Sequence, residues 1–272
     1  MHSQLTRRSM LRLLAGLSAA GLAGAGLAGC SSGEEPVDPL PAEQLVFGVS
    51  SASPWSSSLG WALQTPSLVL YGSGRIISQD PSNPGAAGGP ATYTTAQVDP
   101  LAVARLVAQA EQSRLLTTDY DLLPVTDLPS TRVWSHGAAG SQEVAVYGLS
   151  ESFDEYASVL DRRRRKQLRT LISDAEALIG DGGSAYVPDR VVVLEQRHQG
   201  APATIEWPGP DPGSFLHKPS GRVRSAIACG ELTGSNAAAV YAAARANPDQ
   251  LWLVGSRSRV LAVNPLPVEI DC

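Results

Sequence analysis

Groups that carry chemistry are scarce in this 272-residue chain. It has three Cys and four His, and Lys stands only at Lys166 and Lys218. Gly-x-Ser-x-Gly and Ser-x-x-Lys are both absent, which removes two common linear signatures of serine chemistry. Neither His-x-x-x-His nor Cys-x-x-Cys occurs, so the familiar linear metal spacings are missing. The Gly-rich stretches 85–89 and 180–183 do not join a strand to a helix through Lys-Ser/Thr; they read as flexible loops and not as phosphate cradles. No cofactor is expected.

Weaker candidates remain. Asp119, Asp121 and Asp127 cluster around Pro124. They lack the Asp-x-Asp-x-Asp-Gly pattern of a calcium loop, and read as Asx turns ahead of a strand at Thr131, with a weak divalent site as the alternative. Beyond the first thirty residues the His are His136, His198 and His217. Triads are recognised by geometry and not by spacing, so one of these three working with nearby acids is the enzymatic alternative.

The N-terminus is distinctive. Thr6-Arg7-Arg8-Ser9-Met10-Leu11-Arg12 is basic, and Leu13–Gly29 is apolar, uncharged and rich in Ala and Gly. A basic stretch, an apolar stretch and small residues before a cut site make a signal peptide. The apolar run is shorter than the roughly 20 residues of a spanning helix, and no later run reaches that length. The pair Arg7 and Arg8 resembles a twin-arginine export signal. Leu27-Ala28-Gly29-Cys30 resembles a lipobox, in which the Cys30 thiol receives a diacylglyceryl group and the chain is cut ahead of it. Two or more acyl chains, palmitate among the usual ones, hold a protein stably on a membrane, whereas one does so marginally. The expected location is therefore the extracytoplasmic face of the cell membrane, lipid-anchored through Cys30.

Residues 1–29 hold three Arg and no acid, so the chain beyond them carries 18 basic and 26 acidic residues, a formal charge of −8. That balance gives no reason to bind nucleic acid. Abundant Ala, Gly, Pro and Arg resemble high-GC actinobacterial composition. Cys229 and Cys272 remain after Cys30. In an oxidising compartment two such Cys are expected to pair. The loop so closed is about 44 residues, for which chain entropy gives on the order of 4 kcal/mol.

Along the chain, residues 30–44 read as a polar, Pro-containing tether. Strands are expected at Leu45–Val49, at Ser67–Tyr71 and Arg75–Ser78 across Gly72-Ser73-Gly74, and at Thr131–Trp134 and Glu143–Tyr147. Asp99 or Thr95 caps a helix to about Gln112 whose apolar face is broad. Ser152–Ile179 reads as one long helix, with Phe153, Tyr156, Leu160, Leu168, Leu171, Ala175 and Leu178 in helical period. After Asp181-Gly182-Gly183-Ser184 come a strand at Arg190–Gln196, a weaker one at Thr204–Trp207, a helix at Ser235–Arg245 and a hairpin of Leu251–Val254 with Arg259–Val263. This order predicts an α+β fold with antiparallel sheets, a few helices and two subdomains, 45–181 and 186–272.

Arg162-Arg163-Arg164-Arg165-Lys166 is the sharpest charge feature. Five consecutive residues cover more than one helical turn and point all around it. They are a candidate anion-binding cluster for headgroups, a wall polymer or an acidic protein, and otherwise a solvated helix face paired with Asp154, Glu155, Asp161, Asp174 and Glu176.

Three stretches carry a family resemblance: Leu68 to Ile77, Asp119 through Val125-Thr126-Asp127-Leu128-Pro129-Ser130-Thr131, and Leu266-Pro267 to Cys272. They resemble a group of actinobacterial secreted lipoproteins with no assigned activity. In that group the first stretch is a Tyr-Gly-acid-Gly hairpin, and Ser73 here stands where the acid is usual. The resemblance implies an envelope location and no catalytic residue. The expectation is a non-enzymatic envelope protein that binds a protein, a wall polymer or a small ligand. An envelope hydrolase with a non-motif site, or a structural or protective surface protein, are the alternatives.

Overall fold

In the computed structural model the described residues are 37–82, 89–180, 182–198, 200, 202–219, 226–268 and 272. Arg7, Arg8, Leu27, Ala28, Gly29 and Cys30 lie outside them. Among the described residues no helix is long and apolar enough to cross a membrane.

The fold is α+β, with two antiparallel sheets. The larger takes β1 (Leu45–Ala52), β2 (Leu68–Tyr71), β3 (Arg75–Gln79), β4 (Tyr93–Gln97), β5 (Ser130–Gly137), β6 (Gly140–Tyr147) and the two-residue β7 (Ser184–Ala185). Its order is β6-β5-β1-β2-β3-β4-β7. The smaller takes β8 (Arg190–Gln196), β9 (Ala228–Thr233), β10 (Leu251–Val254) and β11 (Arg257–Asn264), in the order β10-β11-β8-β9. The helices are α1 (Ser58–Ala62), α2 (Pro100–Ser113), α3 (Val159–Ala177) and α4 (Gly234–Ala246).

Local chemistry explains the boundaries. The β2–β3 turn puts Gly74 at φ +86°, where a Cβ would also meet the Val98 carbonyl at 2.2 Å; only Gly fits both demands. Asp99 caps α2 by accepting from the Leu101 amide at 3.0 Å, and Pro100 follows at the position where a missing N–H costs nothing. Thr95, the other expected cap, lies instead in β4, opposite Ile77. The expected helix 152–179 is two elements. Residues 151–156 form a 3-10 turn, Ala157 and Ser158 are extended, and the Ser158 hydroxyl accepts from the Asp161 amide to start α3. A Ser that can cap competes with helix continuation, and a periodicity count does not register that competition.

Helices α2 and α3 cover one face of the larger sheet, where Phe47, Leu70, Ile76, Val107, Leu116, Leu168 and Leu171 share a core. Helix α4 covers one face of the smaller sheet, with Trp252, Val193, Val240 and Leu261. The other face of the smaller sheet meets Ala62 and Leu63. Val37–Cys272 is one compact unit. Polar ties cross between the two sheet regions. Asn264 donates to the Ala62 and Gln64 carbonyls at 3.3 and 3.1 Å, and the Tyr241 hydroxyl donates to the Ala91 carbonyl at 2.8 Å.

Cys229 and Cys272 are disulfide-bonded, with Cα atoms 5.6 Å apart, within the range such a bond requires. The bond sits beside His217, whose backbone pairs with that of Cys229 and whose Nε2 lies 3.3 Å from the Cys272 carbonyl.

The buried stripe of α3 is Asp161, Arg165, Leu168, Leu171 and Ala175. Arg165 has no exposure. Its Nε donates to Asp161 Oδ2 at 2.6 Å; its terminal nitrogens donate to the carbonyls of Tyr147, Gly148 and Asp121 at 3.0, 3.1 and 3.0 Å. Removing one member of a buried pair strands the other's charge. Arg165→Ala is therefore expected to lower stability by about 3–5 kcal/mol, read by urea unfolding, whereas Arg163→Ala on the exposed side changes it by less than about 0.5 kcal/mol.

Candidate functional site

A cleft of about 850 Å³ opens beside the β10–β11 hairpin, lined by Glu195, Glu206, Trp207, Asp211, Arg257 and Arg259 among others. The elements that build it can be followed from the sequence. The β10–β11 turn runs through Gly255 at φ +60°. Residues 205–207 lie along the outer edge of β10: Leu253 N–H donates to the Ile205 carbonyl at 2.7 Å, and Trp207 N–H to the Leu253 carbonyl at 3.0 Å. The expected strand Thr204–Trp207 is thus a single parallel bridge, Glu206 to Leu253. Pro208, Pro210 and Pro212 follow directly, and Pro supplies no ladder donor.

That Pro-rich segment forms the opposite wall. Trp207 Nε1 donates to the Pro210 carbonyl at 2.8 Å, and the Trp207 ring meets Trp252 edge to face at 5.3 Å. Asp211 accepts from the Gly213 amide at 2.9 Å, which fixes its carboxylate at the start of a 3-10 turn, Pro212–Ser214. Ser258 Oγ accepts from the Ala203 amide at 2.8 Å. Within the cleft Glu195 and Arg259 form a bidentate pair, with N···O distances of 2.7 and 2.6 Å. The Glu195 hydrogen bond, with Asp211 adding to it, raises the Arg259 pKa above its usual value. Such fork-to-fork pairs are geometrically rigid. They leave Glu206, Asp211 and Arg257 as the cleft charges outside that pair.

The basic run divides in a way the sequence did not reveal. Arg162, Arg163 and Lys166 are exposed and line a shallow hollow of about 360 Å³ with Val159, Glu151, Asp154 and Arg169. Arg164 is half-buried. Arg165 is withdrawn into the core and belongs to no anion site, because its donors are taken by Asp161 and three carbonyls. Arg169, outside the run, joins the hollow and is held by Asp154 at 3.0 and 2.6 Å. Helical spacing of four from Arg165, and of three from Lys166, could have pointed to it.

The remaining candidates do not converge. His136 sits in β5 opposite Ser141, His198 follows β8, and His217 faces the Cys229–Cys272 bond; none of the three lines the cleft. The Ser158 hydroxyl and then the Ser158 amide, the latter donating to Asp121 at 3.1 Å, hold the Asp121 carboxyl below its ordinary value. Asp127 takes a left-handed turn conformation, φ 67°. Among the described residues no group of three or more His, Cys, Asp or Glu is placed to hold a metal. The cleft itself was not legible in sequence, since Glu195, Glu206, Trp207, Asp211 and Arg259 come from three separate segments. Comparison with protein-family profiles, curated proteins and solved structures found no match.

Gly209 sets the spacing of the cleft wall: a Cβ there would meet Val240 Cγ2 at 2.8 Å and Trp207 Nε1 at 2.9 Å. Overpacking of this kind typically costs about 1–3 kcal/mol. Gly209→Ala is expected to lower the unfolding midpoint accordingly and to shift the near-ultraviolet circular dichroism of the Trp207–Trp252 pair. An unchanged signal would show that the wall can move aside.

Proposed function

We propose that this chain is a lipid-anchored extracytoplasmic binding protein, exported under the Arg7-Arg8 signal, held by Cys30, and carrying a small zwitterionic amine in the cleft beside β10–β11. The observation that carries the reading is the cleft's charge arrangement. Glu206, Asp211 and Arg257 all line the cleft and none of them belongs to the hydrogen-bonded Glu195–Arg259 pair, although Asp211 acts on Arg259 through its charge. An ammonium would face the two carboxylates and a carboxylate would face Arg257, while Trp207 offers an aromatic surface to a cation. Recognition sites of this kind need few polar groups if those groups are fixed. Here the Asp211 carboxylate is held by the Gly213 amide and the Trp207 ring by the Pro210 carbonyl.

The anchor rests on the lipobox-like Leu27-Ala28-Gly29-Cys30 and the twin-arginine-like Arg7-Arg8. The Cys229–Cys272 bond suits an oxidising compartment. The resemblance to actinobacterial secreted lipoproteins points to the same envelope location.

Titration of the protein with basic amino acids, amino sugars and short peptides, followed by tryptophan emission, tests the ligand. A saturable change is expected, absent in Trp207→Phe, and Glu206→Gln is expected to weaken it about 10-fold or more, the loss of one charge-assisted hydrogen bond. Emission that none of these probes alters, or a response indifferent to Glu206→Gln, would overturn the assignment.

A further inference from the structure

The start of α3 presents an apolar cluster next to its exposed cations. Val159 is 83 % exposed and Leu160 59 %, while Leu122 is 82 % exposed and Tyr156 also faces solvent. Single exposed apolar side chains are ordinary on any surface. Tyr156, Val159 and Leu160, however, fall within five consecutive residues, and Leu122 lies in a loop tied to the same turn. The hydrogen bond from the Ser158 amide to the Asp121 carboxylate ties the loop carrying Leu122 to the first turn of α3. The bond from Arg165 to the Asp121 carbonyl ties it a second time. Val159 itself lines the hollow with Arg162, Arg163 and Lys166.

Local carboxylates do not neutralise these cations. Asp154 is occupied by Arg169 and Asp161 by Arg165. Among the described residues Arg162, Arg163 and Lys166 have no carboxylate partner. Glu151 in the hollow and the exposed Glu155 beside it are the acids that subtract from the patch. The chain beyond residue 29 is acidic as a whole, so attraction to an anionic surface must be local.

We infer that this face docks on an anionic phospholipid surface, with Leu122, Tyr156, Val159 and Leu160 at the headgroup–acyl boundary and Arg162, Arg163 and Lys166 among the phosphates. A wall polymer, or a protein surface that is acidic alone, would match the cations but leave Val159 and Leu160 in water. A lipid interface takes both kinds of group at once. The inference stands without an anchor at Cys30, and a ligand in the distant β10–β11 cleft has no bearing on it.

All the described core clusters lie within Val37–Cys272, so residues 31–272, which carry neither the apolar leader nor an acyl group, serve as the probe. The probe is expected to sediment with phosphatidylglycerol vesicles, in a salt-sensitive way, and not with phosphatidylcholine vesicles. The triple variant Arg162→Gln, Arg163→Gln, Lys166→Gln is expected to lose on the order of 100-fold in partitioning, at roughly one basic contact per residue. The pair Val159→Ser, Leu160→Ser, which leaves charge unchanged, is expected to weaken it as well. An unchanged urea midpoint checks that each variant is folded. Absence of vesicle binding, equal binding to both lipids, or binding unmoved by the triple variant would overturn the inference. Binding lost with the cations yet indifferent to Val159 and Leu160 would also overturn it, because that is the behaviour of a plain anion site.

Discussion

Arg165 is a fully buried guanidinium, and the start of α3, the end of β6 and the loop at Asp121 meet on it. One donor goes to Asp161 a helical turn earlier, and the others go to the carbonyls that end β6 and to the loop at Asp121. Burying two charges carries a desolvation cost that only close pairing and full use of donors can offset. These bonds tie α3 to the end of β6, while the second Asp161 oxygen, buried with no partner, is a cost left uncompensated. Buried ion pairs are weak sources of net stability, whereas removing one partner alone is costly. In the observed register Arg165 meets Asp161 and three carbonyls, and that register decides which of its neighbours reach solvent.

The consequence extends to the surface. With Arg165 turned inward, Arg162, Arg163 and Lys166 reach the surface beside it and share one hollow with Arg169, Arg162 also donating to the Ala157 carbonyl at 3.3 Å. Leu160, in helical period with Leu168 and Leu171, is turned out instead. A charged core residue and an exposed apolar one are two results of the same register. The basic run is therefore neither a uniform anion site nor a merely solvated tip. It is divided by the ion pair into a structural member and an exposed group.

Much of the architecture was legible in the sequence because it is written in local chemistry. Asp99-Pro100 starts α2, Gly72-Ser73-Gly74 turns β2 into β3, Gly255-Ser256 turns β10 into β11, and Asn247-Pro248 ends α4. Short apolar runs gave β1, β5, β6 and β8. The disulfide followed from counting two Cys. Elements whose stability comes from distant partners were missed. β4 carries Thr94 and Thr95 in a sequence that resembles a cap, and is a strand because β3 pairs with it residue by residue. β9 contains Cys229-Gly230 and is held by β8 on one side. The break at Ala157–Ser158 was hidden by a periodicity that continues across it. The cleft was wholly illegible, since its charges meet only after three separate segments fold together.

The two sheets divide the labour in this account. The smaller one carries the cleft proposed to hold a ligand, and the larger one carries the face at the start of α3. Polar ties through Asn264 and Tyr241 hold them in one unit. The proposal that links them is that the whole unit is held at the membrane through Cys30. Intact mass of the protein extracted from its own membrane fraction, alkylated before and after reduction, tests this most directly. The account predicts the mass of residues 30–272 plus a diacylglyceryl group, with Cys229 and Cys272 alkylated only after reduction. A soluble product without lipid, and with both thiols open to alkylation from the outset, would contradict it.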